Sequence, residues 1–94
     1  MEMNKSLSGF FKAIENDGRI SVSHIGIFAA LLQYRTSKEN INPIIVFSRE
    51  IMEIAKISAP ATYLKCVHDL SAFGYIEYVP SFKRTQGSKI YFHE

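Results

Sequence analysis

Residues 55–78 read AKISAPATYLKCVHDLSAFGYIEY, and three of them punctuate the stretch. Ser58 is a good helix cap, Pro60 falls in a first turn where its missing N–H costs little, and Gly74 accepts the left-handed conformation that ends a helix. Between them Tyr63, Val67, Leu70 and Phe73 recur at helical spacing, which predicts one buried face. The set left pointing outward is Pro60, Ala61, Thr62, Leu64, Lys65 and His68. Directly after Gly74 the pattern changes. YIEYV (75–79) and KIYF (89–92) alternate or nearly so around the polar run PSFKRTQGS (80–88), which predicts a β-hairpin with a long loop.

Working back toward the amino terminus, IIVF (44–47) predicts a short strand. Ser48 is read as the cap of a short helix, with Glu50 in its first turn and Ile51, Ile54 and Ala55 inward. Lys56 and Ile57 then form a tight connection. Upstream, Ser21 or Ser23 caps a helix running through HIGIFAALLQYR to about Thr36. Its two adjacent stripes, Ile25, Phe28 and Leu32 beside Ile27, Leu31 and Tyr34, require cover on more than one side and mark it as the central helix. It stops before Asn42, which Pro43 pushes away from helical geometry. Leu7, Phe10, Phe11 and Ile14 form a further apolar stripe in residues 4–15. Asn16, Asp17 and Gly18 end that first helix.

Composition bounds the function. A chain of 94 residues that is 47% hydrophobic and 13% aromatic has enough apolar material for one core without disulfides or metal. Its formal charge is only +2, and the excess is carboxy-terminal: residues 1–55 balance, whereas 56–94 carry five basic and three acidic side chains. Cys66 is the lone cysteine, so neither an internal disulfide nor a multi-cysteine zinc site is available. No apolar run approaches the roughly 20 residues of a membrane span, and the opening MEMNKSLSGFF lacks a signal-peptide core. A cytoplasmic location without membrane attachment is expected.

The order of elements, with IMEIAKIS (51–58) leading into TYLKCVHDLSAFGYIEY (62–78), resembles the winged helix-turn-helix family of bacterial transcriptional regulators and plasmid and primosomal replication initiators. The resemblance covers about residues 22–92. It rests on the apolar pair Ile51 and Met52, on the apolar-then-serine step Ile57 and Ser58, and on Phe73, Gly74 and Tyr75 leading into the wing. Two departures stand out: Lys56 occupies a turn position where such proteins often carry glycine, and the Ser58 to Gly74 spacing is one residue long. The resemblance implies an α+β winged helix over residues 21–94, with a three-helix core, a short strand and a carboxy-terminal hairpin wing. Residues 1–20 would add an amino-terminal helical extension.

It also implies double-stranded DNA as the partner. The helix after Ser58 would enter the major groove, presenting Ser58, Pro60, Ala61, Thr62, Leu64, Lys65 and His68, and the wing would bring Lys83, Arg84, Gln86, Ser88 and Lys89 to phosphate or the minor groove. The helix face lacks the arginine and asparagine that usually read bases in bidentate fashion, so modest sequence selectivity is expected unless DNA shape contributes. Relatives of this fold often pair through outside helices, which makes the stripe in residues 4–15 a candidate homodimer contact as well as a candidate for packing on the chain's own core. A second function class is a winged helix that binds a protein partner through Ala61 and Leu64. Catalysis is not expected: His68 and Asp69 diverge as helix neighbours, Cys66 and His68 do not share a face, and neither a nucleophile elbow nor a nucleotide-binding glycine motif is present. No cofactor or metal is implied.

Overall fold

The computed structural model describes residues 2–83 and 85–93, the first five as backbone alone. The fold is α+β. Helices α1 (Glu2–Ala13), α2 (Val22–Ser37), α3 (Ser48–Ala55) and α4 (Pro60–Ala72) accompany strands β1 (Ile44–Val46), β2 (Ile76–Val79) and β3 (Ser88–Phe92). The strands form one antiparallel sheet in the order β1-β3-β2.

Helix α2 is the hub, with α1, α3 and α4 all packed against it. Its start is fixed by Ser21 rather than Ser23. The Ser21 N–H donates to His24 Nδ1 at 2.9 Å while Ser21 Oγ accepts a long 3.5 Å bond from the His24 N–H, a capping box with histidine in the usual glutamate place. Ile27, Phe28, Ala30, Leu31, Leu32 and Tyr34 are buried and Ile25 is half-buried, so both stripes expected of this helix meet the core, the first less completely at its start. In the connection from α2 to β1, Asn42 clamps the end of β3, donating from its amide to Phe92 O and accepting the Phe92 N–H, each at 2.9 Å.

Helix α1 joins the same core. Phe10 is buried, its ring nearly parallel to Phe28 at 3.9 Å between centroids and edge-on to Tyr75 at 5.4 Å. Leu7 and Ile14 are half-buried beside it, but Phe11 departs from the expected stripe and stays 46% exposed. The turn after α1 is tied down as well. Asp17 accepts from Arg19 Nε at 2.8 Å and from the Tyr75 hydroxyl at 2.6 Å, and these bonds hold its carboxyl well below the usual carboxylate range. The Arg19 guanidinium in turn lies 3.9 Å over the Phe73 ring.

The short helix corrects two expectations. Ser48 is the first helical residue and Phe47, still in the extended conformation of β1, is the cap; the Glu50 carboxylate reaches back to the Phe47 N–H at 3.4 Å. Ile51 is fully buried, whereas Ile54 is 39% exposed rather than inward. Tyr34 fastens α3 to α2 by donating to Glu50 Oε1 at 3.1 Å.

Lys56 then reverses the chain in the left-handed region, at φ 62° and ψ 40°. A side chain there costs roughly 1–2 kcal/mol, part of which glycine would give back as lost backbone entropy. Lys56→Gly is therefore expected to stabilise the protein by about 0.5–1 kcal/mol, read as a higher urea midpoint with an unchanged slope; a lower midpoint would show that the lysine side chain contributes more than its conformation costs.

Helix α4 begins one residue later than Ser58 suggested. Ala59, extended at φ −96° and ψ 115°, is the cap, and Pro60 is the first helical residue. Tyr63, Cys66, Val67 and Leu70 form its buried row, while Phe73, at the end, is only half-buried. Gly74 closes the helix at φ 89°, and the Tyr75 N–H returns to Leu70 O at 2.9 Å. Beyond it the hairpin packs Ile76, Ile90 and Phe92 inward with Ile44 and Val46, and turns Glu77, Val79, Lys89, Tyr91 and Ile45 to the outer face of the sheet. Among the described residues, no helix is long and apolar enough to cross a membrane.

Candidate nucleic-acid interface

The buried row of α4 decides what its other side presents. With Tyr63, Val67 and Leu70 anchored at 2% exposure or less, Ser58, Pro60, Ala61, Leu64, Lys65 and His68 are exposed and Thr62 is half-buried. Among the described residues no element covers this face. It carries little free charge. Lys65 Nζ donates to Asp69 Oδ2 one turn on at 2.8 Å, and this pairing lowers the Asp69 carboxyl and raises the Lys65 ammonium from their ordinary values. His68 lies on the hairpin side of the helix, edge-on to Tyr78 at 5.0 Å.

Asp69 is shared. Its Oδ2 also lies 2.9 Å from His24 Nε2. Because His24 Nδ1 accepts the Ser21 N–H, the ring proton belongs on Nε2 and is donated to Asp69. Ser21 Oγ sits 2.8 Å from His24 Nδ1, so serine, histidine and aspartate are linked in series. The chain does structural work: the serine caps α2, and the histidine, 5% exposed, binds α2 to α4. The Cys66 thiol is buried, and burial pushes its pKa up, away from the reactive thiolate. Among the described residues no cluster of histidine, cysteine or carboxylate side chains could hold a metal ion.

The hairpin loop comes to the same side of the molecule as α4. A concavity of about 210 Å³ runs between the start of α3, α4 and the loop, with Ser48, Leu64, Lys83, Gln86 and Ser88 in its walls. It brings one residue of the α4 set together with three of the loop set. Lys89 belongs elsewhere. It pairs across the sheet with both Ile45 and Val79 and projects from the outer face, so the expected basic cluster divides between two faces of the hairpin. Arg84 lies outside the described residues.

Two features have only a weak signature in the sequence. Ser48, released from capping, lines the concavity, and exposed Arg49 follows it in the first turn of α3. The signal available was a Ser-Arg pair opening a helix one element before α4. The other is the chain that links Ser21 and His24 to Asp69, a contact across 45 residues that local spacing does not reveal. A separate hollow of about 320 Å³ between α1, α2 and the end of β3 is walled mainly by Phe10, Phe28, Leu32, Tyr75 and Phe92, with Arg35 and His93 as its charged or polar margin. No family model, curated protein or solved structure matches the chain.

Proposed function

We propose that the chain is a winged helix-turn-helix module that binds double-stranded DNA, with α3 and α4 as the helix-turn-helix, α4 in the major groove and the β2–β3 hairpin as the wing. The observation that carries this reading is the continuity of the uncovered α4 face with the concavity under the loop. A phosphate lying there would meet the Lys83 ammonium and the hydroxyls of Ser48 and Ser88, while the small residues Ala61 and Thr62 leave room for base edges at the start of α4. The left-handed Lys56 supports it too, since it gives α3 and α4 the tight turn that such a motif needs.

The partition of charge decides where affinity comes from. Lys65 is paired with Asp69, whose negative charge offsets its pull on phosphate, so the loop supplies most of the phosphate attraction. Anisotropy titration on random duplex at two salt concentrations tests this. Charge reversal at Lys83 and Arg84 together is expected to weaken binding by tenfold or more and to flatten the log–log salt slope by about 0.9 for each phosphate that the loop no longer neutralises. Lys65→Glu is expected to have the smaller effect. A larger loss from Lys65→Glu than from the loop reversal would place the dominant contacts on α4 instead.

The exposure of Leu64, 44%, beside Ala61 and an internally paired Lys65 favours a second reading, in which the α4 face docks on a partner protein. On that reading random duplex gives no titration at either salt concentration.

A further inference from the structure

Phe82 is 98% exposed, the largest exposure of any large apolar side chain among the described residues. Its ring is left almost wholly to solvent, yet the loop that presents it is organised. Ser81 Oγ accepts the Lys83 N–H at 3.2 Å and lies 3.3 Å from Lys83 O, the Gln86 N–H donates to Lys83 O at 3.1 Å, and the Ser81 N–H donates to Ser88 Oγ at 3.3 Å. The ring is thus held out from the tip of the hairpin. Residues 80–89 contain Lys83, Arg84 and Lys89 and no carboxylate. Lys83 and Lys89 join Phe82 around a second hollow, of about 340 Å³, which shares Ser81, Lys83, Gln86 and Gly87 with the concavity facing α4 and extends past them to Val79 and Lys89.

Resting on the DNA-binding reading, we infer that Phe82 is a wedge that enters the minor groove and partly unstacks one base step, while the cations beside it grip the flanking phosphates. An apolar pocket on a protein would have to accept the ring and desolvate Lys83 and Lys89 at once. A second copy of this chain would bring the same cations face to face. Duplex DNA offers the complementary pair: phosphate rails on both sides of a narrow groove and an apolar stack between them, opened at a cost that side-chain insertion offsets. Flexible pyrimidine–purine steps, which unstack most readily, are the favoured targets.

The test uses the full chain and short duplexes carrying a fluorescent adenine analogue at a central TA step, with end labels that report bending by energy transfer. Wild type is expected to raise the analogue's fluorescence and shorten the end-to-end distance on saturation. Phe82→Ala removes a ring that stands in solvent, so its thermal midpoint should match wild type; it is expected to bind the duplex roughly tenfold more weakly with the same salt slope, and to lose both the fluorescence rise and the bend. Phe82→Leu should keep most of both. Wild-type binding with unstacking and bending that Phe82→Ala leaves intact would overturn the wedge while the DNA-binding reading survives. Saturable anisotropy without any fluorescence change in wild type would do the same. An absence of duplex binding at either salt concentration would remove both, and binding to anionic lipid vesicles that Phe82→Ala abolishes, in place of duplex binding, would reassign the loop to a membrane surface.

Discussion

Phe10→Ala is expected to lower the free energy of unfolding by about 3–5 kcal/mol, the range for truncating a buried phenylalanine, against a total of about 5–15 kcal/mol for a domain of ordinary stability. The size of the effect follows from where the ring sits. It is 4% exposed, lies nearly flat against Phe28 at 3.9 Å and meets Tyr75 edge-on at 5.4 Å. Phe28 in turn meets Phe92 edge-on at 6.1 Å, so one aromatic column connects α1, α2, the start of the hairpin and the end of β3. Among the described residues, removing this ring leaves half-buried Leu7, and Ile14 just past the helix end, as the main apolar contacts of α1 with the core, and exposes the face of Phe28 to water. Phe11→Ala is the control. That ring is 46% exposed on the neighbouring position, and its loss should cost within about 1 kcal/mol. The check is a pair of urea titrations followed by circular dichroism. If the two variants have equal midpoints, α1 is an appendage and the column has no cooperative role.

The contrast between Phe10 and Phe11 also shows how far periodicity reaches. A stripe of Leu7, Phe10, Phe11 and Ile14 identifies a helix and its apolar side, but that side is broader than the groove available on α2, and only one of two adjacent rings is taken up. The same holds for Ile51 and Ile54 on α3. Where a helix is covered on several sides, as α2 is, or has a single strong row, as α4 does with Tyr63, Val67 and Leu70, pattern and burial agree.

Helix starts are legible to within one residue, and at both shifted starts a backbone constraint overrides the side-chain preference of serine. Serine side-chain preference points to Ser48 and Ser58 as caps, whereas the backbone assigns that role to Phe47 and Ala59. At α4 the proline decides: its ring requires the residue before it to be extended, and it is itself suited to the first helical position, so the cap must be Ala59. At α3 the end of β1 decides, because Phe47 is still extended and Glu50 satisfies its N–H from within the helix. The left-handed Lys56 carries no signal in its own side chain; its position is marked by the brevity of the connection and by the resemblance, in which that turn often holds glycine.

Of the candidate site, the outward set on α4 is readable because it is the complement of a strong buried row. The division of the loop cations is also within reach of the sequence. Once Ile90 and Phe92 are placed inward, the alternation of a strand sends Lys89 to the opposite face, away from Ser88. The pairing of Lys65 is half legible, as a lysine four residues before Asp69 on one helix, but the hold of His24 on the same carboxylate depends on packing between distant segments.

Gly87→Ala is expected to destabilise the protein by about 1–3 kcal/mol and, on the DNA-binding proposal, to weaken duplex binding as well, because it strikes the place where the loop is pinned to the sheet. A Cβ at this position would lie 2.7 Å from the Val46 carbonyl oxygen and 2.7 Å from Ile45 Cγ2. The isoleucine methyl can rotate away. The carbonyl cannot, since it belongs to a strand whose Val46 is paired with Ser88, the residue next to the substitution. Relief must therefore come from separating β3 from β1 at that end, which displaces Ser88, Gln86 and Lys83 relative to α4 and opens the concavity between them. The two obstacles are distinguishable. If the methyl were the limiting one, Ile45→Ala in the Gly87→Ala background would restore stability; because the backbone oxygen is the rigid partner, the double variant is expected to remain destabilised, with at most a small recovery. Denaturation midpoints for the two single variants and the double variant, with duplex affinity measured on each below its unfolding transition, separate a packing effect from a displaced loop. Wild-type stability and affinity in Gly87→Ala would mean that the loop is free of β1 and that the sheet does not set the position of Lys83 beside α4.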